Sequence, residues 1–170
     1  MKSFCILLLI IFSSVSSYCQ TDTSKADADT LAPYQKVDYI PNFSILTADS
    51  VWFFKSQLST KKPTLILYFS PDCGHCQIET EALLSKISLL KNLQIVMVTS
   101  RPFADMKNFA QYYKLQRYRS IIIGSDPLYR ISKFYDVKFT PFSAFYDKKG
   151  KFVKAYKKEI DMLELVKFLN

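Results

Sequence analysis

Two cysteines separated by two residues, Cys73 and Cys76 with Gly74 and His75 between them, are the side chains best equipped for chemistry in this sequence. A thiolate is the nucleophile of disulfide exchange, and a second thiol one helical turn away can release the product of the first attack. A structural bridge over so short a loop would constrain almost nothing, so a functional reason for the pair is favoured. The other cysteines, Cys5 and Cys19, fall in the N-terminal segment and leave the pair with only each other. Ser70-Pro71-Asp72 breaks the apolar run before them, and a helix is expected from about Gly74. Unpaired amides and partial positive charge at a helix start favour thiolate at Cys73, the expected nucleophile, while Cys76 is the shielded, resolving thiol. His75 adds positive charge near Cys73, and Asp72 opposes it; the sequence leaves that balance open. Zinc wants four ligands, and the lone histidine stands inside the pair, so neither a metal nor an external cofactor is expected.

The elements around the pair follow from apolar spacing. Phe43 to Leu46 and Val51 to Phe54 predict an N-terminal hairpin, and the continuous run Leu65 to Phe69 a buried strand. The helix after it is expected to turn Ile78, Ala82, Leu83, Ile87 and Leu90 inward. Ile95 to Thr99 predicts a strand, Ala104 to Lys114 a helix, and Ile121 to Ile123 another strand. Pro127 to Tyr135 is expected as a short helix beginning on proline. Phe142 to Tyr146 and Phe152 to Tyr156 form a hairpin around Asp147-Lys148-Lys149-Gly150. A last helix places Met162, Leu165, Val166 and Leu169 on one face. This alternation implies an α/β fold with a mixed central sheet flanked by helices.

The N-terminus carries Lys2, an apolar run from Phe4 to Phe12 and a Ser-rich stretch to Tyr18, the pattern of a signal peptide over 1–19. Cleavage after Cys19 would expose Gln20; bulky Tyr18 argues against lipid anchoring at Cys19. Residues 20–36 have no apolar period and are expected as a flexible leader, with one domain over 37–170. The chain is basic, formally +8. Its lysines are scattered, the densest group lying between Lys148 and Lys158, which favours a solvated face over nucleic-acid binding; contact with an anionic membrane surface or acidic partner is the alternative.

The segment from Leu65 to Cys76, Leu-Ile-Leu-Tyr-Phe-Ser-Pro-Asp-Cys-Gly-His-Cys, resembles the strand, loop and active-site turn of the thioredoxin superfamily. Lys133 to Pro141 resembles the segment leading to that superfamily's cis-proline, and the hairpin and terminal helix follow in the expected order. The N-terminal hairpin and the extra helix and strand between Ala104 and Ile123 are similar to the TlpA/ResA-like branch of exported redoxins. The resemblance implies a thioredoxin-like fold and a periplasmic or extracytoplasmic thiol-disulfide oxidoreductase. It also implies a cis Thr140–Pro141 bond beside Cys73, protein disulfides or thiols as substrates, a membrane electron donor and a monomeric chain.

The sequence departs from the pattern at two points. Asp72 stands where many thioredoxins have Trp, and Leu67 stands where many bury an acid that serves the second cysteine. Glu79, three residues after Cys76, could replace that acid, but a solvated Glu79 is the expectation from residue type. The dipeptide Gly74-His75 is shared with protein disulfide isomerases, which keeps a disulfide-forming or isomerising role open. A peroxiredoxin would match Ser70 but wants proline at Ile66, and a non-catalytic peptide-binding module would use Thr140, Pro141 and Phe142.

Overall fold

The computed structural model describes residues 31–169. The expected signal peptide over 1–19, with Cys19, and residues 20–30 of the expected leader lie outside the described residues. Seven strands form one sheet: β1 (Ser44–Thr47), β2 (Trp52–Phe54), β3 (Thr64–Tyr68), β4 (Gln94–Thr99), β5 (Ile121–Ser125), β6 (Phe142–Tyr146) and β7 (Phe152–Tyr156). Their order is β2-β1-β5-β4-β3-β6-β7. β3, β4 and β5 are parallel, and the outer pairings are antiparallel. The sheet is mixed, as expected, because helical crossovers join the central strands while hairpins supply both edges.

Alternation along the central strands feeds two cores. Leu65, Leu67, Ile95 and Met97 point to one face, where they meet Leu83, Met106, Phe109 and Leu165. Ile66, Tyr68, Val96 and Val98 point to the other, against Tyr34, Ile131 and Tyr135. The period of two explains why these strands read as unbroken apolar runs: both faces are covered. Five helices do the covering: α1 (Pro33–Lys36), α2 (Gly74–Ser85), α3 (Phe103–Tyr112), α4 (Arg130–Tyr135) and α5 (Met162–Lys167).

Three local expectations shift. Pro33–Lys36 is helical and Tyr34 is buried against the rings of Tyr135, Phe142 and Phe152, so the packed chain reaches back before Val37. A lone aromatic in a polar stretch carries no periodic signal. α4 begins at Arg130 rather than Pro127, because the Asp126 carboxylate accepts from the Arg130 and Ile131 amides at 3.1 and 2.8 Å and so sets the start of the helix. In α2, Ile78 is 60% exposed, and the buried face consists of Cys76, Glu79, Thr80 and Leu83. The inner face is rotated toward Cys76, which is 1% exposed and draws its i+3 neighbour Glu79 inward.

Candidate active site

Cys73 is the N-cap of α2, in extended conformation (φ −92°, ψ 115°), directly after the loop that leaves β3. As the cap it lies where the first helical amides lack partners, and its Sγ accepts from the Cys76 amide at 3.4 Å. Its thiol also points to the Thr140 carbonyl oxygen, 3.5 Å away. The Thr140–Pro141 peptide bond is cis. β6 begins one residue after Pro141 and pairs antiparallel with β3, so the loops bearing Cys73 and Thr140 share one end of the sheet. Cys73 is partly exposed, Cys76 is buried, and both are free thiols.

The two sulfurs differ in acidity. Burial opposes ionisation of Cys73, but hydrogen bonds from Cys76 and its amide, with further ones at Thr140 and the His75 amide, outweigh it and leave the Cys73 pKa below its ordinary value. Cys76 goes the other way, to about 12: burial pushes it up and the neighbouring Cys73 adds to the effect, more than offsetting the Ser70 amide that donates to its sulfur at 3.5 Å.

The structure also resolves the contest between Asp72 and His75. Asp72 is held by the Arg101 guanidinium, with Nε 3.3 Å from Oδ1 and a second, closer contact between Nη2 and Oδ2, and by the Ser70 hydroxyl. These partners draw its pKa down to about 2 and set a cation against the charge that would oppose a Cys73 thiolate. The His75 imidazole is exposed and pairs through Nδ1 with Glu159 Oε1 at 2.7 Å. What His75 offers the Cys73 sulfur directly is its backbone amide.

Glu79 corrects the expectation of a solvated side chain. It is 2% exposed; Oε2 accepts from the Ile160 amide at 2.9 Å, and Oε1 is buried without a partner among the described residues. Burial raises its pKa to about 7, the Ile160 amide offsets part of that rise, and Glu159 adds to it. Leu67 is fully buried in the core beside the same helix, so a carboxyl on α2, not on β3, is the buried acid here. Residues 157–161, between β7 and α5, therefore touch the start of α2 twice, through Glu159 and Ile160.

Arg101, Glu159 and the Ile160 amide were not singled out in the sequence. Arg101 had one accessible signal: β3 and β4 are parallel neighbours, so the loops leaving their C-terminal ends must adjoin. An open groove of about 650 Å³ runs beside Cys73's loop, lined by Ser70, Arg101, Tyr129, Phe139 and Thr140, with Phe139 81% exposed. A second, of about 640 Å³, lies on the other side of Asp72, between α2 and α3, and is walled by Gln77, Glu81, Asp105 and Tyr112. Among the described residues no cluster of three or more His, Cys, Asp or Glu could hold a metal ion, and no helix is long and apolar enough to cross a membrane.

No protein-family model and no curated protein sequence matches the chain. Solved structures do. A secreted disulfide oxidoreductase of Mycobacterium tuberculosis is similar with a TM-score of 0.61 and 22% identity, over 75% of this chain and 93% of its own. A peroxiredoxin-like protein of Aquifex aeolicus gives 0.63 and 18%, over 78% and 84%. The exposed lipoprotein thioredoxin of Streptococcus pneumoniae gives 0.56 and 22%, over 75% and 98%. With these likenesses, the parallel centre of the sheet and a Cys-x-x-Cys pair capping the helix after β3, the fold is thioredoxin-like.

Proposed function

We propose that the chain is an exported thiol-disulfide oxidoreductase that mainly reduces disulfides of extracytoplasmic proteins. The observation that carries this reading is the split between two sulfurs of one Cys-x-x-Cys turn: one partly exposed and acidified, the other buried and held protonated. The Cys73 thiolate attacks a substrate disulfide; one substrate sulfur leaves as a thiolate and takes a proton, and a mixed disulfide remains. Cys76 then loses its proton and attacks Cys73 Sγ, releasing the second substrate thiol and leaving a Cys73–Cys76 disulfide. Two electrons from a membrane carrier, the donor implied by the TlpA/ResA-like resemblance, regenerate the dithiol. Glu79, on the same buried face as Cys76 and with its pKa raised to about 7, is the group suited to take the Cys76 proton. Thr140, joined to Pro141 by the cis bond, lines the groove in which an extended substrate strand pairs with backbone.

Export is supported by the signal-peptide pattern and by the secreted and surface-exposed character of two similar structures. Ile66, a buried strand residue where a peroxiredoxin wants proline, speaks against peroxidase chemistry. One observation favours a second reading. His75 between the cysteines is the dipeptide of isomerases, whose potentials lie near about −180 mV against about −270 mV for thioredoxin. The Glu159 partner tempers that charge, and an intermediate potential is expected. Insulin reduction with dithiothreitol as donor, and equilibration with glutathione, test the two together. A potential near about −120 mV, that of a dedicated oxidant, would replace reduction by disulfide formation.

A further inference from the structure

The sheet sorts the chain's charges by end. Since β3, β4 and β5 are parallel and β6 runs against β3, the loops entering the first three and leaving the fourth emerge together, opposite Cys73. The pairs Thr64–Gln94, Thr64–Tyr146 and Ile95–Ile121 align that end in one row. Gln94 ties it together, donating from its side chain to the Ser59 and Lys62 carbonyls at 2.9 and 3.3 Å.

Those loops are 58–63, 86–93, 113–120 and 147–151, and together they hold ten lysines and arginines against one carboxylate, Asp147. Asp147 is already committed, accepting from the Lys149 and Lys151 amides at 2.8 and 2.9 Å. Lys151 pairs with Asp38 at 3.6 Å. The other nine have no ion-pair partner among the described residues, and all are exposed. Lys61 and Lys62 precede β3; Lys86 and Lys91 lie between α2 and β4; Lys114, Arg117 and Arg119 precede β5; Lys148 and Lys149 turn β6 into β7. Leu89, between Lys86 and Lys91, is 57% exposed. The loops at the cysteine end, 70–73, 100–102, 126–129, 136–141 and 157–161, hold four cations and five carboxylates.

From this asymmetry we infer that the end opposite the cysteines is a docking surface for an anionic phospholipid bilayer, which turns Cys73 away from the lipid, so that the membrane donor of the proposed function meets it through a part projecting from the bilayer. Seven of the nine free cations are lysines, hydrated point charges on flexible stems that suit a fluid layer of headgroups better than a fixed array of acceptors. The exposed apolar side chain among them is aliphatic Leu89, which can enter a headgroup layer; a single-stranded nucleic-acid face would present aromatic platforms for bases. The inference rests on charge distribution and topology and stands apart from the redox reading.

Co-sedimentation of the chain from Gln20 onward with lipid vesicles tests it. Vesicles containing phosphatidylglycerol should retain the protein at low salt and release it near about 1 M salt, where the Debye length is about 3 Å; pure phosphatidylcholine vesicles should not retain it. Combining Lys91→Glu, Arg117→Glu, Arg119→Glu and Lys148→Glu should weaken binding more than about a hundredfold. Its circular dichroism and thermal midpoint should match the parent's. Lys157→Glu with Lys158→Glu, at the cysteine end, should leave vesicle binding intact. Equal binding to neutral vesicles, equal loss in both variants, or tighter binding to duplex DNA at matched phosphate would overturn the inference. Failure of insulin reduction would bear only on the proposed function.

Discussion

At the cysteine end of the sheet the charges nearest the pair answer one another: Asp72 is held by Arg101, His75 by Glu159, and farther along the loop Lys138 by Asp136. At the opposite end, nine cations stand without an ion-pair partner among the described residues. The same fold thus keeps its charges in two ways. Where the proposed reaction forms a thiolate beside an aspartate, the local field is balanced by pairing over a few ångströms; at the opposite end charge is left to act at the range of the Debye length. A chain-wide charge of +8 describes neither end.

The comparison breaks most sharply at the sulfurs. Cys73→Ser should reduce insulin turnover to the uncatalysed background, and Cys76→Ser should accumulate mixed disulfides visible on non-reducing gels. Retained activity in Cys73→Ser with loss in Cys76→Ser would reverse the assignment.

Next comes Glu79, the buried carboxyl whose second oxygen has no partner among the described residues. Its carboxyl holds a proton more tightly in the folded chain than in the unfolded one, whose pKa is 4.5, so its contribution favours the native state below that value and is lost as pH rises toward 7. Over that window wild-type stability should fall by up to about 3 kcal/mol from this group. Glu79→Gln, which can still accept from Ile160, should flatten that part of a denaturation-versus-pH curve. It should also slow resolution of the mixed disulfide near neutral pH. An unchanged slope would show that Glu79 is not the titrating group.

A smaller effect separates the two ends directly. Arg101→Gln exposes Cys73 to an uncompensated Asp72 and should raise the thiol pKa, read from thiolate absorbance, by up to about one unit. Adding Asp72→Asn should return it. Arg117→Gln removes the same charge at the other end and should leave the thiol pKa unmoved; a shift equal to that of Arg101→Gln would mean that net charge, not the ion pair, sets the acidity. The smallest change is expected from Glu159→Gln. Its ion pair with His75 is exposed, so the thermal midpoint should not move measurably, while the redox potential should move slightly toward the oxidising side as His75 loses its counter-charge.

The cysteine pair and the order of strands and helices were legible because each leaves a local signature, a spacing or an alternation of apolar residues; the cis Thr140–Pro141 bond was expected only through the resemblance of Lys133 to Pro141 to the thioredoxin superfamily. Glu79 and Arg101 were not legible. Along α2 the apolar residues suggested one face, yet Ile78 lies outward and Glu79 inward, because burial of Cys76 decides the rotation and a cysteine counts weakly in an apolar pattern. Arg101 becomes meaningful only when β3 and β4 lie side by side, and Glu159 only when a segment 84 residues after His75 folds back onto α2. The basic end was hidden in the same manner, its ten charges arriving from four separate loops.

The amide of Ile160 carries a consequence for spectroscopy. It is a backbone N–H on a residue 7% exposed, and it donates to one carboxylate oxygen, Glu79 Oε2. Its nitrogen and proton resonances should therefore follow the ionisation of Glu79, with a midpoint near 7, while the neighbouring Asp161 amide serves as an internal reference. Recorded on reduced and oxidised samples, that single cross-peak becomes a proton gauge inside the protein: it reports, without substrate or dye, whether electrons leaving the cysteine pair change the proton held by Glu79.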